Sequence, residues 1–574
     1  MCFLAADIGC RRFLKDHIQM TLDGFLTFLA LTIAFYAVMP EVTRLRARLH
    51  LRFQVMLAFV AISLTLYFQF FSLVGQPCWL GSQAACQWIT FQADGPITPQ
   101  QAAFLVVFAW MLLALGLNLF RKPGTQSFPT IIKIVEMLLY ERRFGELLGF
   151  IRPHLRLIEA AARRELRRQR VHDWLADANW LRHEKFASVR PQGEVMAAKR
   201  KASLVERTGR WFRRKIRWTA RIVPSGSKAQ ANAETLVRLL FRSGELRQFI
   251  TAMRPDVVTD LMAIRLQPRF EFSDAVVEDF IADPGSQLFQ EIENSQNVSH
   301  TGEYFLNPEN KFLQFLFSDA SVARQLAVWR PVGEFTITKL RTGTETGYAD
   351  FLNGPATSFD RERWQDPTFV AIRFFDIMVQ SAVQQSVEDH MWLFYLPHFV
   401  RELEQTYDAT SPNIDALSEF PTRGSRLIYE AVSAMGGWVK SVKYIDASSP
   451  HTNIPQSAHL GSSAIPPAAA ISLGQAMDAI ATSPRIGDTF AASMHDSILH
   501  DIASLSEEGV EGRMRAFLVR AMVGRGNLGS DARYGARIGS FLAQADHVLR
   551  GNVSDYVAAV EKAYPGALPT RFVE

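Results

Sequence analysis

The residues whose types and spacing come nearest to catalytic chemistry are His398 and Glu402. Residues four apart on a helix share one face, so this pair could supply two metal ligands, or a histidine base and its orienting carboxylate. A third ligand at a recognisable spacing is missing from the sequence, although Asp376 and His390 precede the pair. The apolar run 391–396 favours the other interpretation, in which both side chains lie at the edge of a core.

A second histidine pattern repeats at an interval of five residues, as His495-Asp496 and His500-Asp501. Positions five apart on a helix point about 140° away from each other, so the two histidines do not converge on one ligand. The spacing instead predicts a surface pair between Asp496 and His500.

The segment Gly524–Gly529 matches the G-x-G-x-x-G pattern of dinucleotide-binding loops. A helical segment, Met514–Val523, precedes it where such a site requires a strand, and no lysine follows the last glycine as in a phosphate loop. We therefore predict a loop between two helices.

Cysteine chemistry is confined to the start of the chain, because the four cysteines are Cys2, Cys10, Cys78 and Cys86. The residues after 86 therefore contain no disulfide, no thiolate zinc site and no cysteine nucleophile. No other catalytic signature stands out, so the sequence favours a non-enzymatic protein and predicts no cofactor.

The rest of the chain is organised around three apolar stretches near the N-terminus, at 22–39, 53–74 and 102–120. Crossing a hydrocarbon core of about 30 Å takes about 20 helical residues at about 1.5 Å each. The stretches come close to that length, so the sequence predicts three transmembrane helices. They contain few ionisable residues, which argues against a pump or a proton relay.

Positive charge beside the apolar stretches predicts their orientation, because loops rich in Lys and Arg stay in the cytoplasm. The first loop holds Arg44, Arg46, Arg48 and Arg52, whereas residues 75–101 hold no Lys or Arg. We expect a bacterial inner (cell) membrane protein with its N-terminus outside and all residues after 120 cytoplasmic. Cys78 and Cys86 then lie on the oxidising side, where they form a disulfide or stay as two free thiols.

A basic belt separates the apolar stretches from an acidic body. Residues 152–221 carry 20 Lys and Arg against 7 Asp and Glu, whereas residues 222–574 carry 30 against 42. The belt suits a partner of negative charge, either anionic lipid headgroups or nucleic acid.

Within the belt, residues 204–223 form an amphipathic pattern with a cationic side and an apolar side. The residues that define it are Trp211, Phe212 and Trp218 on the apolar side, and Arg210, Arg213, Arg214 and Arg217 on the cationic side. This pattern is typical of a helix in a membrane interface. Packing on its own domain, binding an acidic protein and stacking on nucleic-acid bases are the alternatives.

The remaining sequence reads as helices interrupted by Pro, Gly and Asn, with one strand-like segment. Val332–Leu340 alternates apolar and polar residues before a turn at 342–344, which predicts at most a small β-hairpin. The predicted organisation is a membrane anchor at 1–123, a basic juxtamembrane helical region at 124–228, a helical core domain at 229–446, a Ser/Pro/Ala linker at 447–470 and a C-terminal helical unit at 471–574.

The predicted fold class is mainly α, with three N-terminal transmembrane helices and a large helical cytoplasmic body. The first functional hypothesis is a membrane-anchored protein that acts by binding, sensing or oligomeric membrane effector action. Its partners would be the bilayer, a second copy or another protein. The alternatives are a membrane-bound metal-dependent hydrolase and a membrane-tethered nucleic-acid binder.

Overall fold

The computed structural model describes about three quarters of the chain, and these residues are mostly helical. The described residues are 40–49, 51–69, 99–120, 124–166, 169–171, 226–264, 269–299, 301–388, 391–415, 417–456 and 464–568, with the single positions 30, 34, 37 and 38. The helical content confirms the mainly α prediction. The chain divides into two compact units, Met1–Arg242 and Ser243–Glu574, while the finer domain boundaries stay predictions.

The first unit contains a pair of long apolar helices and a group of shorter amphipathic ones. The helices with described bounds are α1 (Glu41–Arg48), α2 (Leu51–Gln69), α3 (Pro99–Phe120), α4 (Phe128–Tyr140), α5 (Phe144–Ile151), α6 (Leu155–Ala162) and α7 (Ser227–Arg242). In α4 the apolar residues recur at three- and four-residue intervals, and Ile131, Val135 and Leu138 are fully buried. Helix α7 packs against α4 and α6, so these helices share a small core.

The second unit is built from short and medium-length helices. They are α8 (Gly244–Met253), α9 (Pro255–Met262), α10 (Arg269–Ala282), α11 (Gln287–Asn294), α12 (Lys311–Phe317), α13 (Ala320–Leu326), α14 (Trp329–Arg341), α15 (Gly343–Thr346), α16 (Tyr348–Leu352), α17 (Phe359–Glu362), α18 (Pro367–Gln384), α19 (Tyr395–Thr406), α20 (Arg423–Lys440), α21 (Ile465–Thr482), α22 (Asp488–Ser504), α23 (Gly509–Val523), α24 (Ala532–Gln544), α25 (His547–Asn552) and α26 (Ser554–Ala563).

Helix α18 lies at the centre of the first half of this unit. The Asp366 side chain caps it by accepting a hydrogen bond from the Phe369 amide at 2.9 Å, and Pro367 occupies its first turn. Of its 18 residues, 15 are buried, so it must be surrounded on nearly every side. Helices α10, α11, α13, α14 and α20 all pack against it.

Helix α21 has the corresponding central position in the second half. It begins at Ile465, inside the segment that the sequence suggested to be a linker, and its first residues are buried. Its small side chains let neighbouring backbone approach closely, because a Cβ on Gly474 would lie 2.5 Å from the Ala521 carbonyl oxygen. Helices α19, α20 and α23 pack on it.

The predicted hairpin at Val332–Leu340 is wrong, because this segment is part of helix α14. The apparent alternation misled because Thr336 is fully buried rather than solvent-facing. Its hydroxyl donates to the Val332 carbonyl at 2.8 Å, which satisfies the polar group inside the helix. Within the described residues the β-structure is limited to two isolated antiparallel β-bridges, Val298 with Tyr304 and Pro355 with Thr422.

Two of the three apolar stretches correspond to α2 and α3, whereas most of 22–39 lies outside the described residues. In the part of the chain that the structure describes, no helix combines the length and the hydropathy needed to cross a bilayer.

Candidate functional site

His398 and Glu402 both lie on α19, but no hydrogen bond or ion pair joins these two described side chains. Glu402 is buried and accepts a hydrogen bond from Arg341 Nε at 2.8 Å, whereas His398 is exposed. The carboxylate is thus held by an arginine of α14 rather than orienting the imidazole. Among the described residues no group of three His, Cys, Asp or Glu side chains is arranged to hold a metal ion.

The two His-Asp repeats on α22 have unrelated environments. His495 is fully buried with Nε2 3.2 Å from the Tyr556 hydroxyl, and burial lowers its pKa to about 3. Asp501 instead pairs with Lys440 of α20 at 2.6 Å. Asp496 Oδ1 is buried without a hydrogen-bond partner, and burial raises the pKa of Asp496 while the nearby His500 opposes this change.

The G-x-G-x-x-G segment connects α23 to α24, as predicted for an interhelical loop. Arg525, Gly526 and Asn527 all have positive φ, and Gly526 lies directly against the backbone of α21. Arg525 Nε donates to the buried Asp478 at 2.6 Å, which anchors this turn. The loop is therefore a packing element of the second unit.

A polar stripe on α18, formed by Arg373, Asp376 and Gln380, is the cluster that sequence reasoning missed. The Asp376 carboxylate accepts hydrogen bonds from the Tyr304 hydroxyl at 2.5 Å and from Trp438 Nε1 at 2.8 Å. Arg373 Nη2 donates to Glu430 at 2.7 Å. Burial raises the pKa of Asp376, and the nearby Arg373 opposes this change.

The stripe has an identifiable sequence signal, because its members recur at three- and four-residue intervals in an otherwise apolar helix. Their partners could not be found in this way, since Trp438 and Tyr304 are 62 and 72 residues from Asp376. Gln380 Oε1 is buried without a partner, and a Cβ on Gly302 would lie 3.4 Å from it. Tyr304 and Trp438 both donate to Asp376, and Arg373 donates to Glu430, so the stripe links α18 to α20 and to the segment before α12 as a buried polar network.

The hairpin of α2 and α3 has the most unusual surface in the described chain. Its exposed large apolar side chains are Val55, Met56, Phe59, Val60, Ile62, Leu64 and Leu66 on α2, and Leu105, Phe108, Leu112 and Leu113 on α3. These are half of all exposed large apolar side chains among the described residues, although the helices have only 19 and 22 residues. An apolar patch of this kind marks an interaction surface.

The buried residues of the hairpin are small, which inverts the usual arrangement of a water-soluble protein. Helices α2 and α3 pack on each other, and Ala61, Ala102, Ala103 and Val107 are buried while Phe59 is 71% exposed. Small residues inside and large apolar residues outside are typical of helices that pack within lipid. Arg52 is the single charged residue of the two helices.

The base of the hairpin is fixed by α1, which docks on α5. Leu45 is buried, Val42 lies against Gly149, and Arg46 Nη2 donates to the Gly149 carbonyl at 3.0 Å. Arg143 forms ion pairs with three glutamates, among them Glu41 of α1. The Arg143 guanidinium lowers the pKa of Glu41, so the pair is charged at neutral pH.

The other predicted site residues lie outside the described residues. These are Trp211, Phe212, Trp218, Arg210, Arg213, Arg214 and Arg217 of the amphipathic pattern, with Cys78 and Cys86 of the predicted disulfide. The chain matches no known family model, no curated protein and no solved structure.

Proposed function

We propose that this protein attaches to a membrane through the hairpin of α2 and α3 and holds its helical body at the membrane surface. The observation that carries the proposal is the arrangement of the hairpin, with large apolar side chains outside and alanines inside. Exposing such a surface to water costs about 25 cal/mol of free energy per Å² of apolar area. Contact with lipid acyl chains takes the surface out of water and so avoids this cost.

The docking of α1 on α5 supports an orientation for this anchor. Helix α2 begins at Leu51, directly after α1 ends at Arg48, and α3 leads after Phe120 towards α5. Because α1 and α5 contact each other, the segment before α2 and the segment after α4 meet at one place. In the proposal that place is the cytoplasmic face of a bacterial inner membrane, as the arginines of the first loop favour.

The finer form of the proposal has three embedded segments, at 22–39, 53–74 and 102–120. Cys78 and Cys86 then lie on the side opposite the body. The basic helix that contains Trp211 and Trp218 contacts anionic headgroups, and its cations each contribute about 1 kcal/mol near such a surface. The body acts by binding or sensing from this position, alone or as a homo-oligomer.

The test is a pair of charge substitutions on the outer face of the hairpin, Phe59→Asp and Leu112→Asp, in the full-length protein expressed in bacteria. An acidic side chain at the centre of a bilayer costs about 2.5–3.5 kcal/mol. Alkaline carbonate should therefore extract the double variant from membranes, whereas the wild-type protein should resist extraction. Quantitative immunoblots of the membrane and soluble fractions measure the change.

A matched control places the same charge on an exposed aromatic residue outside the hairpin. Tyr140 is 91% exposed, so Tyr140→Asp should leave the distribution between fractions unchanged. If the hairpin faced water, the wild-type protein would be found in the soluble fraction, and the double variant would have the same distribution between fractions as wild type. Either result overturns the proposal.

A further inference from the structure

A cleft of about 420 Å³ opens near the C-terminal end of the second unit, between α24, α25 and α26. Its volume falls within the range of about 300–1,000 Å³ that is usual for small-molecule sites. One wall is a single face of α26, because the lining residues of this helix recur at three- and four-residue intervals. These residues are Ser554, Val557, Ala558 and Glu561. Leu542 and Leu568 also line the cleft, so much of its wall is aliphatic.

Glu561 is the acidic residue of this lining, and one of its carboxylate oxygens lacks a donor. Its Oε1 accepts a hydrogen bond from the Gly566 amide at 3.3 Å. Its Oε2 is buried and has no hydrogen-bond partner among the described residues. An unsatisfied buried acceptor is costly, and a cationic donor satisfies a carboxylate better than a neutral one. This position therefore favours a ligand with a cationic N–H donor.

Arg550 is the basic residue of the lining, and it contacts other groups. Its Nη1 lies 3.4 Å from the carbonyl oxygens of Leu542 and Ala543, near the end of α24. Hydrogen bonds from two backbone amides lower the pKa of the exposed Asp546, and the nearby charge of Arg550 lowers it further. The guanidinium thus faces carbonyl oxygens and a carboxylate of its own, while Glu561 Oε2 stays without a donor.

We propose that this cleft binds a small aliphatic primary amine in its ammonium form. The ammonium group donates to Glu561 Oε2, and its other N–H groups donate to water that enters beside the exposed Ala558. The alkyl chain covers Val557, Leu542 and Leu568 and takes their apolar surface out of water. Charge and chain are both required, because the first satisfies the carboxylate and the second fills the aliphatic part of the cleft. The site lies within the second unit and does not depend on the hairpin of α2 and α3.

The test is isothermal titration calorimetry on the full-length protein in detergent, with n-butylamine as the probe and with heats from protein-free detergent subtracted. At about pH 7 an alkylamine is protonated. The matched ligands are n-butanol, which has the chain without the charge, butyrate, which has the opposite charge, and methylamine, which has the charge without the chain. We expect n-butylamine to bind at least tenfold more tightly than any of them. Equal affinities for the four, or no saturable heat from n-butylamine, would overturn the proposal.

Two variants locate the binding in the cleft. Glu561→Gln keeps the shape of the side chain and should weaken n-butylamine binding at least tenfold. The control Glu508→Gln makes the same chemical change at an exposed residue outside the cleft and should bind like wild type. Ala558→Phe fills the cleft from an exposed position and should abolish binding even if Glu561→Gln fails to fold. Wild-type affinity in Ala558→Phe or in folded Glu561→Gln contradicts the assignment.

Discussion

Asp376 is held in the interior of the second unit by two neutral donors, the Tyr304 hydroxyl and the Trp438 indole. Asp376→Ala leaves both donors without their acceptor and removes a negative charge near Arg373. We expect the free energy of unfolding to fall by about 3 kcal/mol, as when one partner of a buried polar network is removed. Urea unfolding followed by circular dichroism measures it.

The control for this prediction is Asp350→Ala, because Asp350 is an exposed carboxylate of the same unit. Its unfolding free energy should stay within about 0.5 kcal/mol of wild type. Equal losses in the two variants would mean that the Asp376 network contributes nothing specific.

His495 predicts a pH dependence of stability. Burial lowers its pKa from 6.5 to about 3, so between these values the unfolded chain binds a proton that the folded chain does not. Stability from this residue is therefore present above pH 6.5 and is lost as the pH falls towards 3. Between these pH values the unfolding free energy should fall by about 1.4 kcal/mol for each pH unit of acidification.

The measurement compares His495→Gln with wild type in urea unfolding at several acidic pH values. The pH dependence of the unfolding free energy in His495→Gln should be shallower than in wild type by the contribution of one proton. An unchanged slope in His495→Gln would show that His495 is accessible to protons in the folded state.

Among the elements, the crossing of α20 and α22 depends on the absence of one side chain. Gly436 faces Asp501, which itself pairs with Lys440 at 2.6 Å, and a Cβ at Gly436 would clash with that carboxylate. Gly436→Ala should lower the unfolding free energy by about 1–3 kcal/mol, the typical cost of overpacking. Thermal unfolding by circular dichroism measures the change.

Gly145 provides the matched substitution for this element-scale prediction. It is also helical, in α5, but has open space where a Cβ would lie. Gly145→Ala should leave the melting temperature unchanged or raise it, because alanine restricts the unfolded chain. Alanine has the higher helix propensity at both positions, so a similar loss in both variants would contradict the packing argument.

The sequence predicts those helices that depend on interactions between residues close together in the chain. It does not predict features that depend on residues far apart in the chain. The helices over 53–74 and 102–120 were predictable because their apolar runs are local, and they are observed as α2 and α3. Helix α14 was not, because Thr336 is buried by neighbours distant in sequence and satisfied by its own helix. The partners of Asp376 were hidden for the same reason.

At the scale of the whole molecule, the docking of α1 on α5 joins the helix before α2 to a helix that follows α3 in the chain. Leu45 is 2% exposed at this contact, so Leu45→Ala should cost about 2–3 kcal/mol of local stability. We expect the amides of α1 to exchange faster with solvent deuterium, measured by mass spectrometry. Leu105→Ala, an exposed residue of the hairpin, should leave α1 unchanged; equal exchange in Leu45→Ala and wild type would contradict the docking.

If the chain is anchored as we propose, the docking also predicts which parts of it share a side of the membrane. Arg48 ends α1 and Arg152 directly follows α5, so both should face the same compartment, with residues 70–98 opposite. Arg48→Cys and Arg152→Cys, introduced singly into a background with all native cysteines replaced by serine, are tested with a membrane-impermeant maleimide on intact spheroplasts. A third variant restores Cys78 alone.

We expect labelling of Cys78 in intact spheroplasts and labelling of the two arginine-to-cysteine variants only after lysis. The physical reason is that α1 and α5 are in contact, so a bilayer cannot separate their ends. In the proposed attachment, α2 and α3 each cross the bilayer, which puts Cys78 on the other side. Opposite labelling of Arg48→Cys and Arg152→Cys would show that the hairpin does not return to one side. Labelling of all three before lysis would place the hairpin in one leaflet, at the depth of an interfacial helix rather than a spanning one.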